Sequence, residues 1–554
     1  MTHHHIPALA AAMLTGCAAL SGAQGPAAPT ALPANPGIDP TSRSPTPTQA
    51  APSQTPPPAL GLPDSSGVVT ACEANALALP LGDSFGAASR IIAQEDWLYM
   101  LVDGELYRTP RGDADAGALQ LEPMLARGQD VAGRPVQELV DLASDPASSA
   151  LYALDKAGHV FRHDPATGAV ALAYRAAPNN DDPLWIEPQF VALAVGPDGG
   201  VILLDTAHTA LWQPDGLSAL QPIVEAPALY EGVDIASVDG AYYVLGYDGS
   251  IAQAAPPWNM IALRGAPETP GLMLSLLVTD HLGVPLLYVV DGLNRLIIGM
   301  DAQTGEPLTA TRFALPSMGL LRDVGFAGGR LYAVADASLI VFPGPETGAC
   351  EPLDEYPPTT LYGEDISSAL ADVTFPIAGG WLPPWPRVYP GANRLYRLGI
   401  HHGLDIHEYT APPGFGMGTP VVAAADGQVI EASLDYTPVS AREFDALVAR
   451  SQALGYTPPE ALARLYGRRI VIEHPGGVQT VYAHLSEIAP DIQVGSRVAR
   501  GQVIGAVGVS GTMGEGAPGT VLAHLHFEIW LNGRYLGQGL TLRETMWWFE
   551  QVFD

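Results

Sequence analysis

From residue 68 to about 355 the chain alternates short apolar runs with Gly, Asp and Pro and shows little helical periodicity. Short runs bounded by turn formers predict strands. The runs also repeat. Leu98-Tyr99 precedes Asp103, Leu151-Tyr152 precedes Asp155, and Val201-Ile202 precedes Asp205. Tyr242-Tyr243 precedes Asp248, Leu287-Tyr288 precedes Asp291, and Leu331-Tyr332 precedes Asp336. Each predicts a strand, an acidic or glycine turn, and a second strand such as His159-Val160-Phe161 or Leu211-Trp212. Residues 370–554 read differently: strands there are interrupted from Leu434 to Gly467 by a helical pattern. Ser440 with Glu443 forms a capping box, Phe444, Leu447, Val448 and Leu454 share a face, and Gly455 terminates the helix. A second short helix starts at Thr457, Pro458 and Glu460 and ends at Gly467. Thr541 to Glu544 is another capping box, opening a terminal helix with Met546, Trp547, Phe549 and Phe553 as a docked apolar stripe.

The repeated unit recurs every forty to fifty-three residues or so, which is the spacing of β-propeller blades, whose four-stranded sheets bury their faces against one another. Six units predict a six-bladed propeller over 68–355, with seven the alternative count. The turn aspartates read as turn caps rather than calcium ligands. Cys72 precedes the first unit and Cys350 follows the last, so ring closure would bring them together as a disulfide clasp. The fold class is therefore mainly β: a propeller, then a smaller β domain with a helical-hairpin insertion. The propeller reads as a binding or spacing module for an unidentified ligand or protein.

Composition changes the picture at the N-terminus. Residues 18–67 are Ala, Pro, Ser and Thr with almost no large apolar side chains, a composition that stays extended and predicts a tether. Ahead of it, Ile6 to Leu14 is too short an apolar run to span a bilayer and suits a signal-peptide core, giving 1–17 as signal peptide. It ends in Leu14-Thr15-Gly16-Cys17, which resembles the lipobox of bacterial lipoproteins. That resemblance implies acylation of Cys17 and lipid anchoring to the outer face of the bacterial cell membrane. His3, His4 and His5 stand where lipoprotein signals carry Lys or Arg.

The charge balance is 58 acids against 26 bases, net −32, which argues against nucleic acid as a partner. It also argues against charge-driven adhesion to an anionic wall. Lys156 is the single lysine, so no polybasic segment holds a membrane.

Half of the fourteen histidines fall after residue 400: His401, His402, His407, His474, His484, His524 and His526. In Leu522-Ala523-His524-Leu525-His526-Phe527-Glu528-Ile529, strand alternation points His524 and His526 one way and Leu525, Phe527 and Ile529 toward a core. Two imidazoles on one strand face suggest a metal or substrate between them. His401-His402-Gly403-Leu404-Asp405 adds imidazole and carboxylate, and Tyr482-Ala483-His484-Leu485-Ser486 adds a third histidine in a strand. Together with Gly418 to Gly427 and Gly501 to Gly505, this order of motifs over roughly 370–540 resembles the lysostaphin-type zinc metallopeptidases. The resemblance implies a small, mostly antiparallel β domain with a groove that cleaves peptide cross-links of bacterial cell walls. It also implies zinc (Zn) on His401, Asp405 and His526, with His484 and His524 as the catalytic histidines. His402 reads as a bystander or outer donor, His407 and His474 as turn residues, and Arg397 as a substrate-carboxylate ligand or a structural salt bridge.

Two departures from the family pattern stand out: the Leu434–Gly467 insertion, expected to overhang one groove wall and narrow substrate choice, and a long Gly508–Gly519 loop. The reading that follows is a lipid-tethered zinc endopeptidase acting on peptidoglycan peptides. The alternative is a catalytically silent binding or activator lipoprotein, a reading disfavoured by retention of all three ligands and both histidines.

Overall fold

The computed structural model describes residues 70–553, apart from 75, 83–86, 178–186, 257–258, 264–271, 282–283, 313–319, 337, 343–346, 353–368, 520 and 522. Cys17 and the 18–67 tether lie outside the described residues.

All six repeated units become the second strand of a blade. Blades 1 to 4 are four-stranded sheets starting at the inner strands Ala88–Ala93, Leu139–Ser144, Phe190–Val195 and Gly232–Val238. Blade 5 starts at Met273–His281 and blade 6 at Leu321–Ala327. Blade 6 has only three strands of its own and takes Leu77–Pro80, from the other end of the propeller, as its outer strand. The inner strands touch in the order 1-2-3-4-5-6 and then 6 touches 1, so the ring closes. Six blades, not seven, make the ring.

The outer edge of blade 5 is extended by Thr70–Ala74 and Thr347–Pro352, which pair antiparallel with Cys72 directly opposite Cys350. The two cysteine positions thus meet on the rim of blade 5, while the ring itself is closed one blade further on. Directly opposed antiparallel positions have Cα atoms about 4.5–5.5 Å apart, within the span of a disulfide.

Three aspartates of the inner strands tie the blades together. Asp141 of blade 2 accepts from the Leu193 amide of blade 3, Asp234 of blade 4 from Leu276 of blade 5, and Asp323 of blade 6 from Ile91 of blade 1, each at 2.7 Å. Arg90, buried among them, donates to Asp141 at 2.8 Å. Every second blade therefore carries the side chain that grips its successor. Four of the six turn aspartates do a different job, within their own blades. Asp155, Asp205, Asp291 and Asp336 accept from the amides of Gln137, Gln189, Leu272 and Leu320, locking the end of the second strand to the entry of the first. They are turn caps, as their sequence context predicts.

In the C-terminal domain the central strand is Leu525–Leu531, flanked antiparallel by Leu404–Ile406 on one side and Val478–Ala483 on the other. Ile470–Glu473, Gly427–Ala432 and Arg497–Val498 extend the sheet. Leu525, Phe527 and Ile529 face the core, where Trp548 and Phe549 of the terminal helix Leu542–Phe553 pack against them. The insertion forms its two helices, Ala441–Leu454 with Ser440 as N-cap and Gly455 as left-handed C-cap, then Pro459–Leu465.

The two halves dock through buried charge. Lys156 pairs with Glu138, and both are nearly inaccessible. Lys156 also donates to Tyr535 Oη at 3.1 Å and to the Gly537 carbonyl at 2.9 Å. Arg322 of blade 6 pairs with Glu544 of the terminal helix. Asp103, the turn aspartate of blade 1, turns outward to Arg534 at 3.1 Å.

Two tests follow. Peptides containing Cys72 and Cys350, isolated without reduction, are expected as one linked species that separates on reduction; separate unlinked peptides would rule out the clasp. The second concerns the propeller axis, where burial lifts Asp234 to about 8 and Asp323 to about 6 against the opposing pull of Arg90. A carboxyl whose folded value is raised contributes stability below its unfolded value of about 4 and loses it as pH rises through the folded value. The contribution of these two carboxyls to thermal stability should therefore fall between about pH 4 and pH 8, and Asp234→Asn should change the slope of melting temperature against pH by removing its share of that fall. An unchanged slope in melting scans across this range would contradict the assignment.

Candidate metal centre

Register brings the site together. Asp405 lies directly opposite His526 across one strand pair, and Ala483 lies opposite His526 across the other, so His484 emerges beside it. His401 arrives from the adjoining Gly399–Ile400 strand, its amide held by the Ala392 carbonyl at 2.8 Å. Between them, Gly403 sits so close that a Cβ would lie 2.7 Å from both His526 Nε2 and the Phe527 carbonyl. Only glycine lets the 401–405 loop close onto the sheet.

Three donor atoms converge. His401 Nε2 is 2.9 Å from Asp405 Oδ1 and 2.9 Å from His526 Nδ1, and His526 Nδ1 is 3.0 Å from Asp405 Oδ1. Their outward partners fix which lone pairs face inward. His401 Nδ1 donates to the Tyr389 carbonyl at 3.2 Å, leaving Nε2 as the free lone pair. His526 Nε2 donates to Glu528 at 2.8 Å, leaving Nδ1 inward. Arg394 donates to Asp405 Oδ2 at 3.0 Å, leaving Oδ1 for the centre. Tetrahedral zinc with bonds of about 2.0–2.1 Å sets its donors about 3.3 Å apart. The triangle is a few tenths of an ångström tighter than that, and two imidazoles plus one carboxylate make a donor set that suits zinc.

Electrostatics agree with a site built for positive charge. Burial alone would raise Asp405, yet the imidazoles of His401 and His526 hold it well below the usual carboxylate range. Burial and then Arg394 push His401 down to about 3, so it stays a neutral ligand. His526 goes the other way, to about 9, because hydrogen bonds to Asp405 and Glu528 outweigh its burial, so without a metal its Nδ1 carries a proton that a bound metal ion would replace. Glu528 is brought down to about 2 against its own burial by His526.

His484 and His524 stand beside this triangle, their ring centroids 4.8 Å apart and His484 5.6 Å from His526. His484 Nδ1 donates to the Ser510 carbonyl at 2.8 Å, which turns Nε2 into the available base. Its backbone is left-handed, φ 59°, a conformation that strains a non-glycine residue and is held by the Tyr466 carbonyl and the strand before it. The Gly508–Gly519 loop thus orients one candidate catalytic histidine. Glu515 in turn pins that loop, accepting from Gly511, Val439 and Tyr436.

The remaining sequence candidates sort clearly. Arg397 is buried and donates to Thr457 Oγ1 at 2.9 Å and the Ile400 carbonyl at 2.8 Å, so its role is structural, through neutral partners rather than a salt bridge. It fastens the insertion to the loop carrying His401. His474 bridges the Asp426 carbonyl and Thr480, as a turn residue would. His402 packs its ring 4.9 Å from that of Tyr535. His407 is the surprise: although it does start a turn, its ring lies 5.0 Å from His524. Arg394, Tyr466 and Glu528 have no role in the sequence reading. Only Glu528 carries a signal there, standing two residues after His526 on the same strand face.

Peptidase family M23 matches residues 399–537. Proteins named DD-carboxypeptidase/endopeptidase Mpg, from Neisseria meningitidis serogroup B and Neisseria gonorrhoeae, are 31% identical over 140 residues, covering 25% of this chain and 22% of theirs. The chain thus spans about a fifth of the length of these relatives. Among solved structures, a streptogramin B lyase aligns with 49% of this chain and 97% of its own at 8% identity and TM-score 0.36. A catalytic-domain variant of the prophage-encoded M23 protein EnpA from Enterococcus faecalis aligns with 24% of this chain and 74% of its own at 20% identity and TM-score 0.16. The blade count and the donor triangle stand on the strand order and distances above. The C-terminal part of the chain, residues 399–537, carries a peptidase family M23 domain.

Proposed function

We propose that the chain is a zinc-dependent endopeptidase that hydrolyses peptide cross-links of bacterial peptidoglycan. The observation that carries this reading is the convergence of three potential ligand atoms, on His401, Asp405 and His526, beside two further imidazoles. His401, Asp405 and His526 would hold the metal, leaving one tetrahedral position open. Zinc supplies Lewis acidity toward water and the scissile carbonyl. His484 accepts a proton at Nε2, because its Nδ1–H is committed to Ser510. Burial holds His484 neutral, as a base must be. His524, packed between His484 and His407, is placed to donate to the carbonyl oxygen or the leaving amine. The name of the Neisseria relatives, DD-carboxypeptidase/endopeptidase, supports peptides as the substrate class.

Attachment at the cell envelope rests on the sequence Leu14-Thr15-Gly16-Cys17 and the proline-rich tether after it. The insertion, fixed between the Leu395–Arg397 turn and the Gly508–Gly519 loop, supports a part in selecting cross-links.

The test is full-length protein on isolated peptidoglycan, with products read by mass spectrometry and bound metal quantified. About one zinc per chain and new peptide ends are expected, with His526→Ala losing both. A chain that binds no zinc and releases no peptide would overturn the reading.

A further inference from the structure

Each of two metal-ligand candidates leans on a partner that leads back to the propeller. Glu528, fully buried, accepts from three groups: His526 Nε2 at 2.8 Å, Tyr466 Oη at 2.6 Å and Trp530 Nε1 at 2.6 Å. Trp530 in turn is paired across its hairpin with Tyr535, ring against ring at 6.0 Å, and His402 wedges against both rings. Tyr535 does not end in solvent. Its hydroxyl donates to Glu138 of the propeller at 2.7 Å and accepts from Lys156 at 3.1 Å. Lys156 also takes the Gly537 carbonyl, and Glu138 takes the Gly539 amide, so the strand bearing Tyr535 is clamped from both sides.

The second ligand is reached from the neighbouring blade. Glu187, just ahead of blade 3, accepts the backbone amides of Leu395 and Tyr396. Gln189 and the Pro188 carbonyl take the amide and side chain of Asn393. The residue held between these grips is Arg394, the donor to Asp405.

We propose that the propeller is part of the metal site's positioning shell. On this view Glu138, Lys156 and Tyr535 act as positioning residues for the Glu528–His526 pair, while Glu187 positions Arg394 and through it Asp405. A buried, paired charge cluster suits this task because its donors and acceptors have few alternative partners, so it holds one geometry rather than many. Outer partners of metal-bound histidines commonly govern affinity, and their loss typically weakens binding by roughly 10–100-fold. The inference rests on the zinc reading above and extends it: the family-like domain is incomplete without the ring in front of it.

The experiment compares four full-length proteins by competition against a zinc chelator, by cleavage kinetics and by thermal melting. They are the wild type, Tyr535→Phe, the charge-neutral pair Glu138→Gln with Lys156→Met, and a control pair, Arg322→Met with Glu544→Gln. The control removes an equally buried docking pair whose described hydrogen bonds run to Asp336 and Thr541 rather than to Glu528 or Arg394. Tyr535→Phe and the Glu138/Lys156 pair are expected to lose about tenfold in zinc affinity with kcat reduced, while the control keeps wild-type affinity at a similarly lowered melting temperature. Wild-type affinity in the Glu138/Lys156 pair and in Tyr535→Phe would overturn the proposal, as would an equal loss in the control, which would mean that docking alone is felt. A wild type without zinc or cleavage would instead bring down the zinc reading itself.

Discussion

The site depends on one register. The Leu525–Leu531 strand is paired on both sides, and Asp405 and Ala483 both fall opposite His526. Because strand side chains alternate, a slip of one residue would send His526 into the core and bring Leu525 or Phe527 to the side that faces His401. The fully buried Leu525, Phe527 and Ile529 prevent that slip, since exposing them would cost a few kcal/mol for each side chain. Hydrophobic burial on one face is thus what fixes the spacing of imidazoles and carboxylate on the other. Gly403 completes the arrangement by letting the His401 loop come within contact of the same strand.

The strongly acidic chain solves the burial of charge in two different ways. On the propeller axis a single arginine serves three aspartates, and backbone amides of the next blade supply the remaining hydrogen bonds. At the junction of the halves, bases are matched with acids, Lys156 with Glu138 and Arg322 with Glu544. The first arrangement leaves carboxyls with raised affinity for protons. The second leaves fixed ion pairs whose worth is geometric more than energetic, because desolvation offsets much of their attraction.

Where chemistry is local in the chain, the sequence was readable. The six second strands announce themselves through an aromatic or aliphatic pair followed by a turn residue, and the insertion helices through Ser440 and Gly455. The donor and histidine motifs are likewise compact enough to be recognised. What could not be read is distributed. Arg90, Asp141, Asp234 and Asp323 are separated by whole blades, and each alone looks like a polar residue at a strand start. Asp103, Glu138 and Glu187 lie in or beside turns, where acidic residues ordinarily meet water, so nothing marks them as docking groups. His407 read as a turn residue because it is one; its ring packs on His524 only once the loop folds back.

Lys156 first mattered as the lone lysine of an arginine-based chain, and it proves to be almost wholly enclosed between the two halves. The folded protein therefore presents no lysine amine to its surroundings. Amine chemistry at that side chain, whether acylation or cross-linking, requires the halves to part. That amine is thus a chemical tell-tale of the junction, shielded while propeller and C-terminal domain are docked.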